Sequence, residues 1–158
     1  MEVENKIIYN RFNHWNDLII EDQELVKRAY AICENAYAPY SKFHVGAAVR
    51  LGSGELVTGS NQENIAYPSG LCAERVALFY VGANFPSEIV DTICIVAKGD
   101  LLPQEKILSP CGACRQVMLE TETRQKKAYR VILVSQNGVT IIFKSAEDLL
   151  PLAFGLSE

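Results

Sequence analysis

Ile89-Val-Asp-Thr-Ile-Cys-Ile-Val-Ala97 is a short run filled by Ile and Val, and it reads as a strand buried in a sheet. Before it, Cys72 to Gly82 reads as a helix. After it come a second helix, Cys111 to Thr121, and a second strand, Val131 to Ser135. Helix and strand in alternation make an α/β fold.

Outward from this centre, Val45 to Leu51 and Glu55 to Gly59 are strand-like runs joined by Gly52, Ser53 and Gly54, a hairpin signature. Upstream, Leu25, Val26, Ala29, Ile32, Cys33 and Ala36 recur at spacings of three and four, which predicts a helix from Asp22 that ends before Pro39. Downstream, Gln136, Asn137 and Gly138 turn the chain into a last strand, Val139 to Phe143, and a short helix over Ala146 to Leu150. The first twenty residues carry Ile7, Ile8, Tyr9, Phe12 and Trp15 without a clean period. They read as an extended arm, so residues 1–21 are set apart from a single domain over 22–158.

A chain of 158 residues holds one ordinary domain, and its 49% apolar and 22% charged residues are those of a soluble globular protein. No stretch reaches the roughly 20 apolar residues of a membrane span. The N-terminus, with Glu2, Glu4 and Asn5, lacks the basic start of a signal peptide, so a cytoplasmic location is expected and no membrane partner. A net charge of −4 argues against a nucleic-acid partner and suits a small uncharged ligand. The basic cluster Arg124, Lys126, Lys127 and Arg130 reads as a solvated connection.

Five cysteines in a reducing compartment serve as ligands, nucleophiles or core filler rather than as disulfides. Cys33 lies on the apolar side of a helix and Cys94 inside a buried strand, and both read as core. Cys111-Gly-Ala-Cys114 follows Pro110 at a helix start, where residues i and i+3 share a side and free N–H groups favour thiolate. Alone this is ambiguous, because dithiol redox centres also place Cys-x-x-Cys there. Cys72, after Pro68-Ser69-Gly70 at another helix start, supplies a third sulfur.

Three protein ligands leave one position open on a zinc ion, the mark of a catalytic site, since water bound there ionises near neutral pH. His14 and His44 have no ligand spacing. Glu74, two residues beyond Cys72, is placed to move protons without binding the metal. Arg75 then offsets the negative charge of three thiolates from behind and can donate to sulfur.

Cys72-Ala-Glu-Arg75 together with Pro110-Cys-Gly-Ala-Cys-Arg-Gln116 resembles the zinc signature of the cytidine deaminase family, in its three-cysteine form. Tyr40-Ser-Lys-Phe-His-Val-Gly-Ala-Ala48, Asn61-Gln-Glu-Asn64, Tyr67-Pro-Ser-Gly-Leu71 and Leu149-Leu-Pro-Leu-Ala-Phe154 extend the resemblance from about Asp22 to Phe154; Gln62 and Ile65 are variations within it. The resemblance implies a three-layer α/β/α sandwich with a mixed five-stranded sheet, one Zn2+ per chain and a homotetramer. It implies that Phe43 contacts the base, that Asn61 and Glu63 hold the ribose hydroxyls, and that Tyr67 and Ala73 line the substrate site. Phe154 is then sent into a neighbouring subunit's site.

The implied reaction is hydrolysis of cytidine or deoxycytidine at C4, with Glu74 passing protons to the ring nitrogen and the departing amine. Apart from the family, an amide and a carboxylate together meet the donor and acceptor needs of a sugar hydroxyl. That pairing favours a nucleoside over blasticidin, the substrate of a sister group with the same zinc motif. A zinc-stabilised interaction module has no use for Glu74, and a redox protein none for Cys72.

Overall fold

The computed structural model describes residues 1–155. Along the strand Val90–Lys98, Ile93, Ile95 and Ala97 leave one face while Cys94 and Val96 leave the other, and all five are buried. A strand covered on both sides needs a layer above and a layer below. The elements that supply them are, in chain order, β1 (Asn10–Phe12), α1 (Ile20–Cys33), β2 (His44–Leu51), β3 (Leu56–Ser60), α2 (Ala73–Asn84), β4 (Val90–Lys98), α3 (Gly112–Gln125), β5 (Arg130–Val134) and β6 (Thr140–Phe143). Short 3-10 turns lie at Trp15–Asp17, Tyr67–Ser69 and Glu147–Leu149.

The sheet runs β1-β6-β5-β4-β2-β3. β4 and β5 are parallel, with Ile93 opposite Val131, and the crossover between them carries α3; every other pair is antiparallel. Ala77, Leu78 and Val81 of α2 and Met118 of α3 pack on one face, against Ile93, Ile95 and Leu133. Leu25, Val26 and Ala29 of α1 cover the other, against Cys94, Val96 and Ile132. This is the expected three-layer α/β/α sandwich with a mixed sheet, but the sheet has six strands rather than five.

The sixth strand is β1, which pairs with β6 so that Asn10 stands opposite Ile142 and Phe12 opposite Thr140. The Tyr9 ring lies 5.4 Å from that of Phe143. A three-residue edge strand shows no period of two, since pairing with a ready-made edge, and not its own amphipathicity, makes it a strand. Glycine sets how closely the helices approach. A Cβ on Gly59 of β3 would fall 2.6 Å from the Ala77 nitrogen, and one on Gly46 of β2 would fall 2.0 Å from the Ala29 oxygen. Both helices therefore seat directly on the β2–β3 hairpin, and α2 brings its N-terminus to the sheet end where α3 also begins.

The remaining cysteines are core, as expected: Cys33 and Cys94 are fully buried, and the Cys33 thiol donates to the His44 carbonyl at 3.1 Å. His14 caps the turn that follows it, accepting from the Asn16 N–H through Nδ1 at 3.1 Å. Within the basic cluster, Arg130 is paired with Asp22 of α1. Among the described residues no helix is long and apolar enough to cross a membrane.

Candidate active site

Cys72 and Cys111 are the N-caps of α2 and α3, both with extended backbone. Neither side chain makes a capping hydrogen bond to its own helix, but each stands beside a first turn whose free N–H groups favour a thiolate. Cys114, one turn into α3, is buried beneath them. The Cys72 and Cys111 sulfurs are 3.9 Å apart, those of Cys111 and Cys114 3.4 Å, and all three lie within 4.8 Å of one another. No disulfide joins them.

Ligands set tetrahedrally on zinc at about 2.3 Å stand roughly 3.8 Å apart, so the spacing fits that ion. Among the described residues no other group of three His, Cys, Asp or Glu side chains converges in this way. The thiols also need a cation. A hydrogen bond from Cys114 holds the Cys72 thiol low, at about 5, while the same contact and burial push Cys114 far up. A charge on Cys72 thus opposes one on Cys114, and a divalent ion removes that opposition.

Glu74 lies in the first turn of α2, only 5% exposed, and its Oε2 has no hydrogen-bond partner. Burial pushes its carboxyl up to about 7, and the neighbouring Cys72 adds to the rise. A buried carboxyl with an idle oxygen, able to hold or release a proton near neutrality, is suited to general acid–base work. Arg75 follows on the helix, with one terminal nitrogen 3.9 Å from the Cys72 sulfur and its Nε buried without a partner. The structure thus sets it beside the Cys72 sulfur, in the lining of the same cleft as Cys72 and Glu74.

These groups stand along a cleft of about 720 Å3 whose lining includes Phe43, Asn61, Glu63, Tyr67, Cys72 and Glu74. That volume holds a drug-sized molecule. Ala73 is fully buried at the start of α2 and is not part of the lining. Tyr67 is exposed, its ring 6.2 Å from Tyr40 in an edge-on arrangement. Phe154 is 87% exposed and lies outside the cleft, its carbonyl accepting from Gln116 at 2.8 Å.

Asn61 is largely committed to the backbone at the start of β2 and at the residue before it. Its Oδ1 accepts from the Val45 N–H at 2.7 Å and its Nδ2 donates to the Phe43 carbonyl at 2.9 Å. Glu63 accepts from the N–H groups of Tyr40, at 2.9 Å, and Ser41, at 3.3 Å, and from the Ser41 hydroxyl. Each side chain still has hydrogen-bonding capacity: Asn61 keeps one N–H and one lone pair, and a carboxylate offers about four acceptor sites.

Three parts of the site escape the sequence reading. Leu101, Leu102 and Leu108, from the loop between β4 and α3, form an apolar wall of the cleft. Arg115 ties the approach to α3 in place, donating to the Pro110 carbonyl, the Leu149 carbonyl and the Ser109 hydroxyl at 3.0, 3.1 and 2.7 Å. Ser41 joins Glu63 to the strand entering the core. The leucines, sitting in a Pro-bounded loop just before Cys111, were the one available signal.

A three-thiolate metal site at paired helix N-termini, with a buried unpartnered carboxyl beside it and a cleft above, defines a zinc-dependent hydrolase. Residues 19–130 match the family model described as the cytidine and deoxycytidylate deaminase zinc-binding region. A cytidine deaminase of Halalkalibacterium halodurans is 38% identical over 135 residues, 85% of this chain and 95% of that one. The crystal structure of a Burkholderia pseudomallei cytidine deaminase superposes with a TM-score of 0.72 at 39% identity, covering 84% of this chain and 98% of that one. A blasticidin-S deaminase of Bacillus cereus is 28% identical over 137 residues, 85% of this chain and 92% of that one. The chain belongs to the cytidine and deoxycytidylate deaminase family, and is an enzyme of that zinc-dependent, hydrolytic type.

Proposed function

We propose that the protein converts cytidine or deoxycytidine, with water, to the corresponding uridine and ammonia, in the salvage of pyrimidines in the cytoplasm. The observation that carries this reading is the idle, buried Oε2 of Glu74 beside three converging cysteines at the edge of a nucleoside-sized cleft. Zinc held by Cys72, Cys111 and Cys114 supplies a Lewis acid that makes water nucleophilic near neutral pH. Everything else falls to side chains of this chain.

Glu74 takes the proton of the attacking water, delivers it to the ring nitrogen beside C4, and then carries a second proton to the amine as the C4–N bond breaks. A carboxyl raised by burial to about 7 can do both. Arg75 offsets the charge of the sulfurs from beside Cys72. Phe43 provides a face of the base site, and Asn61 and Glu63 turn their remaining hydrogen-bonding capacity toward the ribose hydroxyls. Tyr67 stands at the mouth, while Ala73 shapes the start of α2 beneath the substrate. Phe154 reaches the site of another subunit in a homotetramer. Residues 22–158 form the catalytic unit, and the arm over 1–21 extends its sheet.

The test is loss of the cytosine absorbance band when zinc-quantified protein meets cytidine, beside a Glu74→Gln control. The wild type should turn over, whereas the variant should keep one zinc per chain and lose at least ~10²-fold in rate. No turnover of cytidine by wild type carrying zinc would redirect the reading to another small amine; a variant with near-normal turnover would remove Glu74 from the mechanism.

A further inference from the structure

Ser41 joins two walls of the cleft. Its hydroxyl donates to Glu63 Oε1 and accepts from the Phe43 N–H at 3.0 Å. The Glu63 carboxylate is held at the same time by the N–H groups of Tyr40 and Ser41, and Phe43 by the Asn61 amide through its carbonyl. A chain of hydrogen bonds results: Glu63 to Ser41, Ser41 to Phe43, Phe43 to Asn61. Lys42, between Ser41 and Phe43, sits at φ +55, a left-handed conformation that a lysine adopts only where its surroundings impose it.

From this geometry we infer that Ser41 is a positioning residue for substrate, coupling the sugar-side carboxylate Glu63 to the base-side wall Phe43. The inference rests on the proposed role of Glu63 toward the ribose. A carboxylate on an exposed loop otherwise samples several rotamers, and only one of them presents a lone pair toward a bound sugar. The hydroxyl of Ser41 selects the rotamer, and through the Phe43 N–H it refers that choice to the strand carrying the base contact. The Ser41 hydrogen bond is also the largest influence holding the Glu63 carboxyl below its ordinary range. A turn residue needs only the bond to the Phe43 N–H; the bond to Glu63 goes beyond that need.

The experiment is a double-mutant cycle on cytidine kinetics with Ser41→Ala, Glu63→Gln and the pair. Ser41→Ala should raise KM about tenfold, the scale of one hydrogen bond to a charged group, with kcat within about twofold. In the Glu63→Gln background the same change should move KM by less than about twofold, because Ser41 acts through Glu63. Ser41→Thr, which restores the hydroxyl, should return most of the lost affinity. If the alanine protein is recovered without zinc, Ser41→Cys, similar in size and a weak donor, carries the same comparison. Independent, multiplying effects of the two substitutions would overturn the inference, as would a fall in kcat at unchanged KM. If Glu63→Gln itself leaves KM at the wild-type value, the ribose role of Glu63 fails, and that outcome is distinct from Ser41 failing while Glu63 matters.

Discussion

Cys94 and Cys114 are both fully buried thiols, yet only Cys114 faces other sulfurs. Burial therefore does not separate a ligand from a filler; position relative to a helix start does. Cys114→Ser should yield protein that loses zinc on dialysis and with it all turnover, while Cys94→Ala should keep one zinc and full activity at a stability cost of about 1 kcal/mol. Metal analysis after dialysis, with urea denaturation of both, reads the difference. This much was legible in the sequence, because the local spacing Cys111-x-x-Cys114, Cys72 at a second helix start and Glu74 two residues on carry their geometry with them. Asn61 and Glu63 were legible as polar groups but not as half-committed ones. Their partners are backbone groups and the Ser41 hydroxyl, 16 to 23 residues away, and no local pattern announces such bonds.

At the level of elements, α1 begins two residues before the apolar period becomes visible and carries Asp22 in its first turn. Asp22 is 1% exposed and accepts from Arg50 at 3.3 Å and from Arg130 at 2.6 Å. Arg50 in turn pairs with Asp91, so one buried carboxylate joins the helix to the strands β2, β4 and β5. In the sequence Asp22 marks only a helix start. Its two cations lie 28 and 108 positions away and could not be foreseen. Removing one member leaves buried charge without its counterpart, so Asp22→Ala should cost about 3–5 kcal/mol in urea denaturation. Spectroscopically determined zinc content in the surviving folded fraction should stay at one per chain, because α1 lies on the face of the sheet opposite the metal helices. A loss below 1 kcal/mol would mean that the arginines find water instead.

For the molecule as a whole, the alternation of helices and strands was readable because each element has its own period, whereas β1 and the site's completeness depend on partners. β1 becomes a strand only against the β6 edge. Phe154 raises the same issue between subunits: its ring is open to solvent, and Gln116 holds its carbonyl outside the chain's own cleft. In the homotetramer proposed above, that ring is buried in the site of another copy. The protein should then sediment as four chains of 17.5 kDa each, and Phe154→Ala should lower kcat/KM about tenfold or more. Refolding that variant together with Glu74→Gln chains, in the presence of zinc, discriminates further. A chain lacking the ring keeps its own Glu74 and can borrow Phe154 from an inactive neighbour, so the mixture should exceed the summed activity of the two variants refolded apart. If Phe154 instead serves its own subunit, no hybrid site contains both groups and mixing should gain nothing. A monomer with full activity would remove the shared site altogether.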